Sequence, residues 1–174
     1  MVVLSEPKVG KSMPVDCRTV PGRSDLNFAS LPEVVADAEK LIAAQDTNTL
    51  GNWPLSQLLT HLSTAIDSSI DGISAKAPWF IRLIGPFVKG RLLTKKMSPG
   101  FKLPREAEVA FYPVATSPQE ALDKLAAAVG RLQHEKMTAV HPVLGKLTHD
   151  EWTRLHLRHA ELHLSFAVPG PARS

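Results

Sequence analysis

The 174-residue chain has one cysteine, Cys17. That excludes a disulfide framework and any cysteine-rich zinc module. Aromatic residues make up only 6%, and tyrosine occurs once. No apolar run reaches the roughly 20 residues that span a bilayer, so no membrane-crossing helix is expected. Met1 to Val20 has little hydrophobic stretch and contains Pro7 and Pro14, unlike a signal peptide; with a lone cysteine, the expected location is the cytoplasm. Cys17 has no basic neighbour beyond Arg18 and reads as incidental. Acidic residues are missing from one stretch. Arg82, Lys89, Arg91, Lys95, Lys96, Lys102 and Arg105 are interrupted by no Asp or Glu, and without them the net charge of +3 becomes −4. The stretch interleaves Leu, Ile and Val more than aromatics, which argues against a nucleic-acid partner. It reads first as a solvated basic face, with a phosphate, acidic-ligand or membrane-surface patch as the alternative. The working expectation is no nucleic acid and no membrane partner.

Histidine is what the sequence does have. There are seven, and six (His134, His141, His149, His156, His159 and His163) fall near the C-terminus. The apparent stripe through positions 134, 141, 149, 156 and 163 is broken at Pro142, which no single helix can accommodate there.

Helical signals dominate the chain. Residues 1–28, with Pro7, Pro14 and Pro21-Gly22, read as an extended arm. Three capping boxes follow at Ser30–Glu33, Ser117–Glu120 and Thr148–Glu151, each with a hydroxyl at the cap and Glu three residues on. A helix is predicted from Leu31 to Ala44. Pro54 opens a second, in which Leu55, Leu58, Leu59, Leu62, Ile66, Ile70 and Ile73 recur at three- and four-residue steps until Asp71-Gly72 begins to close it. Residues 78–97 form a less regular apolar and basic helix, interrupted at Gly85-Pro86. Residues 98–116 are proline-rich loop. Two more helices are predicted, from Pro118 to Met137 and from His149 to Ala167, with His141-Pro142 and Gly145 in the loop between them. No segment carries a convincing strand pattern. The fold class is therefore all-α: a four-helix bundle (residues 29–168) with an inserted helical segment after the second helix, an extended N-terminal arm (1–28) and a short tail (169–174).

The last helix narrows the search. Trp152, His159, His163 and Phe166 lie within roughly 60° of one another on its wheel, with Leu155 and Leu162 on the same flank and Glu161 opposite. Two imidazoles at i and i+4 on an apolar face each need a hydrogen-bond partner or a metal, and this spacing is how helices chelate zinc and similar ions. His156 stays a third option on spacing alone. A bundle site needs a ligand from a facing helix. The second helix offers His61, roughly 40° beyond Ala65 at the edge of its apolar stripe. Asp67 and Asp71 are the acidic alternatives there. No Ser-His-Asp or Cys-His order and no phosphate-binding glycine loop is present.

The chain resembles the DinB/YfiT-like superfamily of metal-binding four-helix bundles, in its DUF1569 branch. The carrying segments are Gly51-Asn52-Trp53-Pro54-Leu55-Ser56-Gln57 to His61-Leu62, Ser69-Ile70-Asp71-Gly72, Ala77-Pro78-Trp79, Ile84-Gly85-Pro86, Lys102-Leu103-Pro104, His141-Pro142 with Gly145, Trp152, and His159-Ala160-Glu161-Leu162-His163-Leu164-Ser165-Phe166. The resemblance implies a divalent metal, commonly nickel or zinc, held by His61, His159 and His163 in preference to His156. Many relatives carry a further histidine beside the last ligand, where this chain has Leu162. The superfamily includes metal-dependent thiol transferases that use low-molecular-weight thiols and maleylpyruvate-isomerase-like enzymes.

Three readings follow. The first is a metal-dependent hydrolase or thiol transferase acting on a small-molecule substrate with a metal-bound water or thiolate as nucleophile. His141 and His156 are its candidate bases, and Trp79 and Arg82 would cover the site and select an anionic substrate. The second is a non-catalytic metal or small-molecule binding protein. The third is a helical protein whose histidines bind no metal. Homodimerisation through bundle faces is compatible with all three.

Overall fold

A computed structural model describes residues 14–44, 46–73, 78–100, 112–114 and 116–170. The first half of the predicted arm, Ala77, the Lys102–Arg105 end of the basic stretch and the last four residues of the tail lie outside them. Five helices dominate the described residues: α1 (Leu31–Ala43), α2 (Leu55–Asp71), α3 (Trp79–Thr94), α4 (Pro118–Arg131) and α5 (His149–Leu164). No helix among the described residues is long and apolar enough to cross a membrane.

The start signals act in three ways. At α5, Thr148 accepts from the Glu151 amide and Glu151 accepts from the Thr148 amide, a complete capping box. At α4, Ser117 accepts from the Glu120 amide, but the Glu120 carboxylate takes the Thr116 hydroxyl and Lys124 instead. At α1, Ser30 makes no side-chain cap, and Glu33 accepts from the Ala29 amide one residue earlier. Each device satisfies amides that helix geometry leaves unpaired.

Three helix ends differ from expectation, α3 stopping at Thr94 and not Met97. α4 stops at Arg131, not Met137, and the chain passes through tight turns in which Gln133 and His134 donate to the Gly130 and Arg131 carbonyls. The Arg131 guanidinium spans Asp67 (2.6 Å) and Asp71 (2.6 Å) on α2 and Glu135 (2.8 Å), fastening the end of α4 to the end of α2. Met137 is then free to bury itself in a second core. α5 stops at Leu164, and Ala167–Val168 turn into a strand.

That strand is one of four two-residue strands that hydrophobic periodicity does not reveal. β1 (Asn48–Thr49) pairs antiparallel with β4 (Ala167–Val168), and β2 (Val140–His141) with β3 (Gly145–Lys146). Two residues are too few to show an alternation. The first pair ties the segment after α1 to the end of α5; the second makes a hairpin of the predicted loop.

α3 also departs from its expected interruption: it runs unbroken through Gly85-Pro86. Pro86 is exposed, so the carbonyl its missing N–H leaves unpaired lies on the watered side. Gly85 faces inward, where a Cβ would overlap the Val143 carbonyl oxygen. Glycine is what lets α3 approach the hairpin backbone.

The core has two parts. α1, α2, α4 and α5 share the larger, which contains Val34, Ala38, Leu59, Leu62, Leu125, Ala128, Leu157 and Leu164. α3, the hairpin and the start of α5 share the smaller, around Leu93, Met137, Leu144, Leu147, Trp152 and Leu155. α5 therefore belongs to both. Its larger-core face (Leu157, Ala160, Leu164) lies beside the face that carries His159 and His163. Glu161, which the wheel sets opposite the histidine pair, is buried. It pairs with Arg158 (2.5 Å) and accepts from the Phe28 amide (2.9 Å), so it anchors the chain entering α1 to α5.

Two substitutions in α3 test this packing. Gly90 has open space around it, so Gly90→Ala should stabilise by about 1 kcal/mol through helix propensity alone. Gly85→Ala gains the same propensity but overpacks against Val143, at a cost of about 1–3 kcal/mol, and should lower Tm. Thermal unfolding of the pair checks it; equal increases would contradict the close approach.

Candidate metal centre

α2 is buried on more than its apolar stripe. Ser56, Thr60, His61, Ser63 and Ser69 are buried along with the leucines. The hydroxyls of Thr60, Ser63 and Ser69 are satisfied within the helix, on the carbonyls of Ser56, Thr60 and Ile66. His61 is the polar exception that looks outward from α2, toward α5. It lies 6% exposed, where the wheel put it only at a stripe edge.

There it meets the i, i+4 pair. His61 Nε2 and His159 Nε2 are 3.1 Å apart. Ring centroids are 4.9 Å apart for His61–His159, 4.6 Å for His61–His163 and 4.5 Å for His159–His163, all edge to face. One ligand atom from each of the three lies within 4.8 Å of the others. Trp53 closes one side. Its ring stacks on His163 (5.7 Å, 9° between planes), tilts over His61 (5.1 Å) and meets Tyr112 edge-on (6.3 Å). The sequence singled out neither Trp53, present there only within a segment that carries the resemblance, nor Tyr112 as a site residue. The available signal was Trp53 standing two residues ahead of the helix that carries His61.

Burial keeps His159 and His163 neutral. It pushes His163 down to about 3, helped by His61, and His159 well below the ordinary imidazole range, helped by His163 and His61. A neutral imidazole has one unshared pair, the form in which it ligates a metal. Two nitrogens on one tetrahedral zinc are about 3.4 Å apart at Zn–N of about 2.0–2.1 Å. Three imidazole donors this close, on two facing helices, could hold one divalent ion. Among the described residues no carboxylate or cysteine joins the group.

The other candidates are engaged elsewhere. Asp67 and Asp71, the acidic alternatives on α2, both hold Arg131. His156 stacks on Trp152 (5.4 Å, 17°) and contacts the Ser69 hydroxyl (3.1 Å). That hydroxyl donates to the Ile66 carbonyl, so His156 Nε2 is the donor to Ser69. His141 Nδ1 accepts from the Val143 and Leu144 amides, which places its proton on Nε2. Burial lowers His156 to about 3 and His141 to about 4, too acidic to be effective general bases near neutrality. Both are packing residues of the hairpin and the smaller core. His149 accepts from the Met137 amide at the start of α5, and His134 is exposed. Trp79 and Arg82 line a cleft of about 350 Å³ with Leu83, Pro86 and residues 143–145, and no triad histidine lines it.

A family model described as protein of unknown function (DUF1569) matches residues 21–170. The chain belongs to the DUF1569 family. No curated protein and no solved structure matches it. In this DUF1569 chain the match runs from the arm residues that fasten onto α5 to the strand that follows α5, so it takes in all three histidines.

The neutral histidines have a measurable consequence. Unfolded, each titrates near 6.5; folded, His141, His156 and His163 titrate at about 4, 3 and 3. Between pH 6.5 and these values the unfolded chain binds more protons, so stability is lost as pH falls, by up to about 1.4 kcal/mol per pH unit per histidine. The paired carboxylates add their own loss only at lower pH. Urea unfolding of metal-free protein should weaken steeply from pH 6.5 to 5, and His156→Gln should flatten the slope. A flat profile over this range would contradict buried, neutral imidazoles.

Proposed function

We propose that this chain is a divalent-metal-dependent enzyme of DinB/YfiT type, a hydrolase or thiol transferase acting on a small-molecule substrate. In this reading α1, α2, α4 and α5 are the four-helix bundle and α3 is the inserted segment. The observation that carries the proposal is the set of three imidazoles from α2 and α5 with donor atoms within 4.8 Å. His61, His159 and His163 would hold the ion, nickel or zinc. When bound, such an ion acidifies a coordinated water or thiol into the nucleophile that either reaction class needs.

The chain's own residues do the rest. The i, i+4 spacing on α5 sets two donors one turn apart, and α2 supplies the third across the helix interface. Trp53 covers the His163 ring, fixing its plane and restricting water on that side. Tyr112, exposed beside Trp53, offers an aromatic edge to an incoming substrate. A low-molecular-weight thiol is the proposed co-substrate for the transferase form. The reading includes a cytoplasmic location, in which Cys17 stays reduced.

Protein purified without a histidine tag should carry about one equivalent of nickel or zinc. His159→Ala should weaken that binding by about 100-fold or more. No bound ion after nickel, zinc and manganese are supplied would contradict the metal centre. Turnover of an electrophile panel, with and without thiols, should require both the metal and His163. Metal binding without metal-dependent turnover would instead mark a binding protein.

A further inference from the structure

α3 has two apolar sides, and only one is used. Inward, Gly85 meets Val143, Val88 and Leu92 join the smaller core, and Lys89 pairs with Glu151 at 2.6 Å. Outward, Trp79, Phe80, Leu83, Ile84 and Phe87 are 73%, 53%, 62%, 54% and 86% exposed. Their three- and four-residue steps set them in one stripe along the first two turns. Five large apolar side chains together on one face exceed what scattered surface residues amount to, and mark an interaction site.

The surrounding charge says what kind. From Gly72 to Arg105 the sequence has no Asp or Glu. Arg82 flanks the stripe, and Arg91, Lys95 and Lys96 continue from it, all exposed. Among the described residues, Arg82, Arg91 and Lys95 have no acidic partner. A two-fold pair of chains would set this patch against itself and bring the cationic flanks together. An anionic bilayer surface instead complements both parts, taking the apolar stripe among its acyl chains and the cations among its headgroups. α3 is 16 residues long, about 24 Å, and contains three cations, so it would lie in the interface and not cross it. The expectation of no membrane partner came from the lack of a spanning run, which a helix lying flat does not need.

We propose that the outward face of α3 docks the protein peripherally on an anionic phospholipid surface. The proposal is independent of the metal centre.

The test is co-sedimentation of the full chain with vesicles of phosphatidylcholine alone, or with roughly a third phosphatidylserine. Binding should be about tenfold or more stronger to the anionic vesicles and should weaken in high salt. Leu83→Ser with Phe87→Ser should abolish it, and Arg91→Glu with Lys95→Glu should reduce it to the neutral-vesicle level. These positions are exposed, so both variants should keep the wild-type Tm. His159→Ala should bind vesicles as wild type does. Trp79 fluorescence should shift to the blue on binding, and Trp79→Phe should remove the shift. No binding to anionic vesicles, equal binding to both kinds, or binding untouched by the α3 variants would overturn the proposal. So would a dimer that Phe87→Ser converts to monomer without vesicle binding, since a second copy would then cover the face.

Discussion

Three imidazoles share one small space between α2 and α5, and two charged rings cannot share it cheaply. Two charged imidazoles with nitrogens 3.1 Å apart would repel strongly in a setting that screens little. The neutral form is therefore a condition of the helix interface as well as of ligand chemistry. A divalent ion held there would satisfy the same constraint by replacing an imidazole contact with nitrogen–metal bonds. Folding and metal affinity would then be coupled, because whatever protonates the cluster would also loosen α2 from α5.

The remaining structure fixes α5 against that constraint. One side of α5 is buried in the core it shares with α1, α2 and α4, and its N-terminal part in the core it shares with α3 and the hairpin. Glu161 takes the Phe28 amide and Arg158, and Ser165 takes Arg23 and Ser24, so the incoming chain also runs along α5. Arg131 holds α4 to α2 through Asp67 and Asp71. The donors consequently sit on rigid helices, which suits a site that must hold a geometry. Trp53, by contrast, comes from the turn before α2 and packs against the His61 and His163 rings.

Four of the helices and the histidine pair were legible because period and capping speak directly about local structure. Leu55, Leu58, Leu59 and Leu62 announce α2, and Thr148 with Glu151 announces α5. The facing ligand was harder: the wheel put His61 at a stripe edge, and only the approach of α5 makes that edge an interior. Glu161, opposite the histidine pair on the wheel, is buried for a related reason. A wheel finds one apolar side, whereas α5 is enclosed on several, and a carboxylate paired with Arg158 can be buried where a bare one cannot. The two-residue strands have no period to detect. The continuity of α3 through Pro86 depends on that residue facing water, which no local signal encodes. The outward stripe of α3 was visible as apolar residues, but not which way they point.

X-ray absorption or anomalous diffraction on metal-loaded protein tests the central claim most directly. One divalent ion is expected between α2 and α5, with nitrogen donors from His61, His159 and His163 at about 2.0–2.1 Å and at least one position open to solvent. An ion held elsewhere, or no ion between these helices at saturating metal, would contradict it.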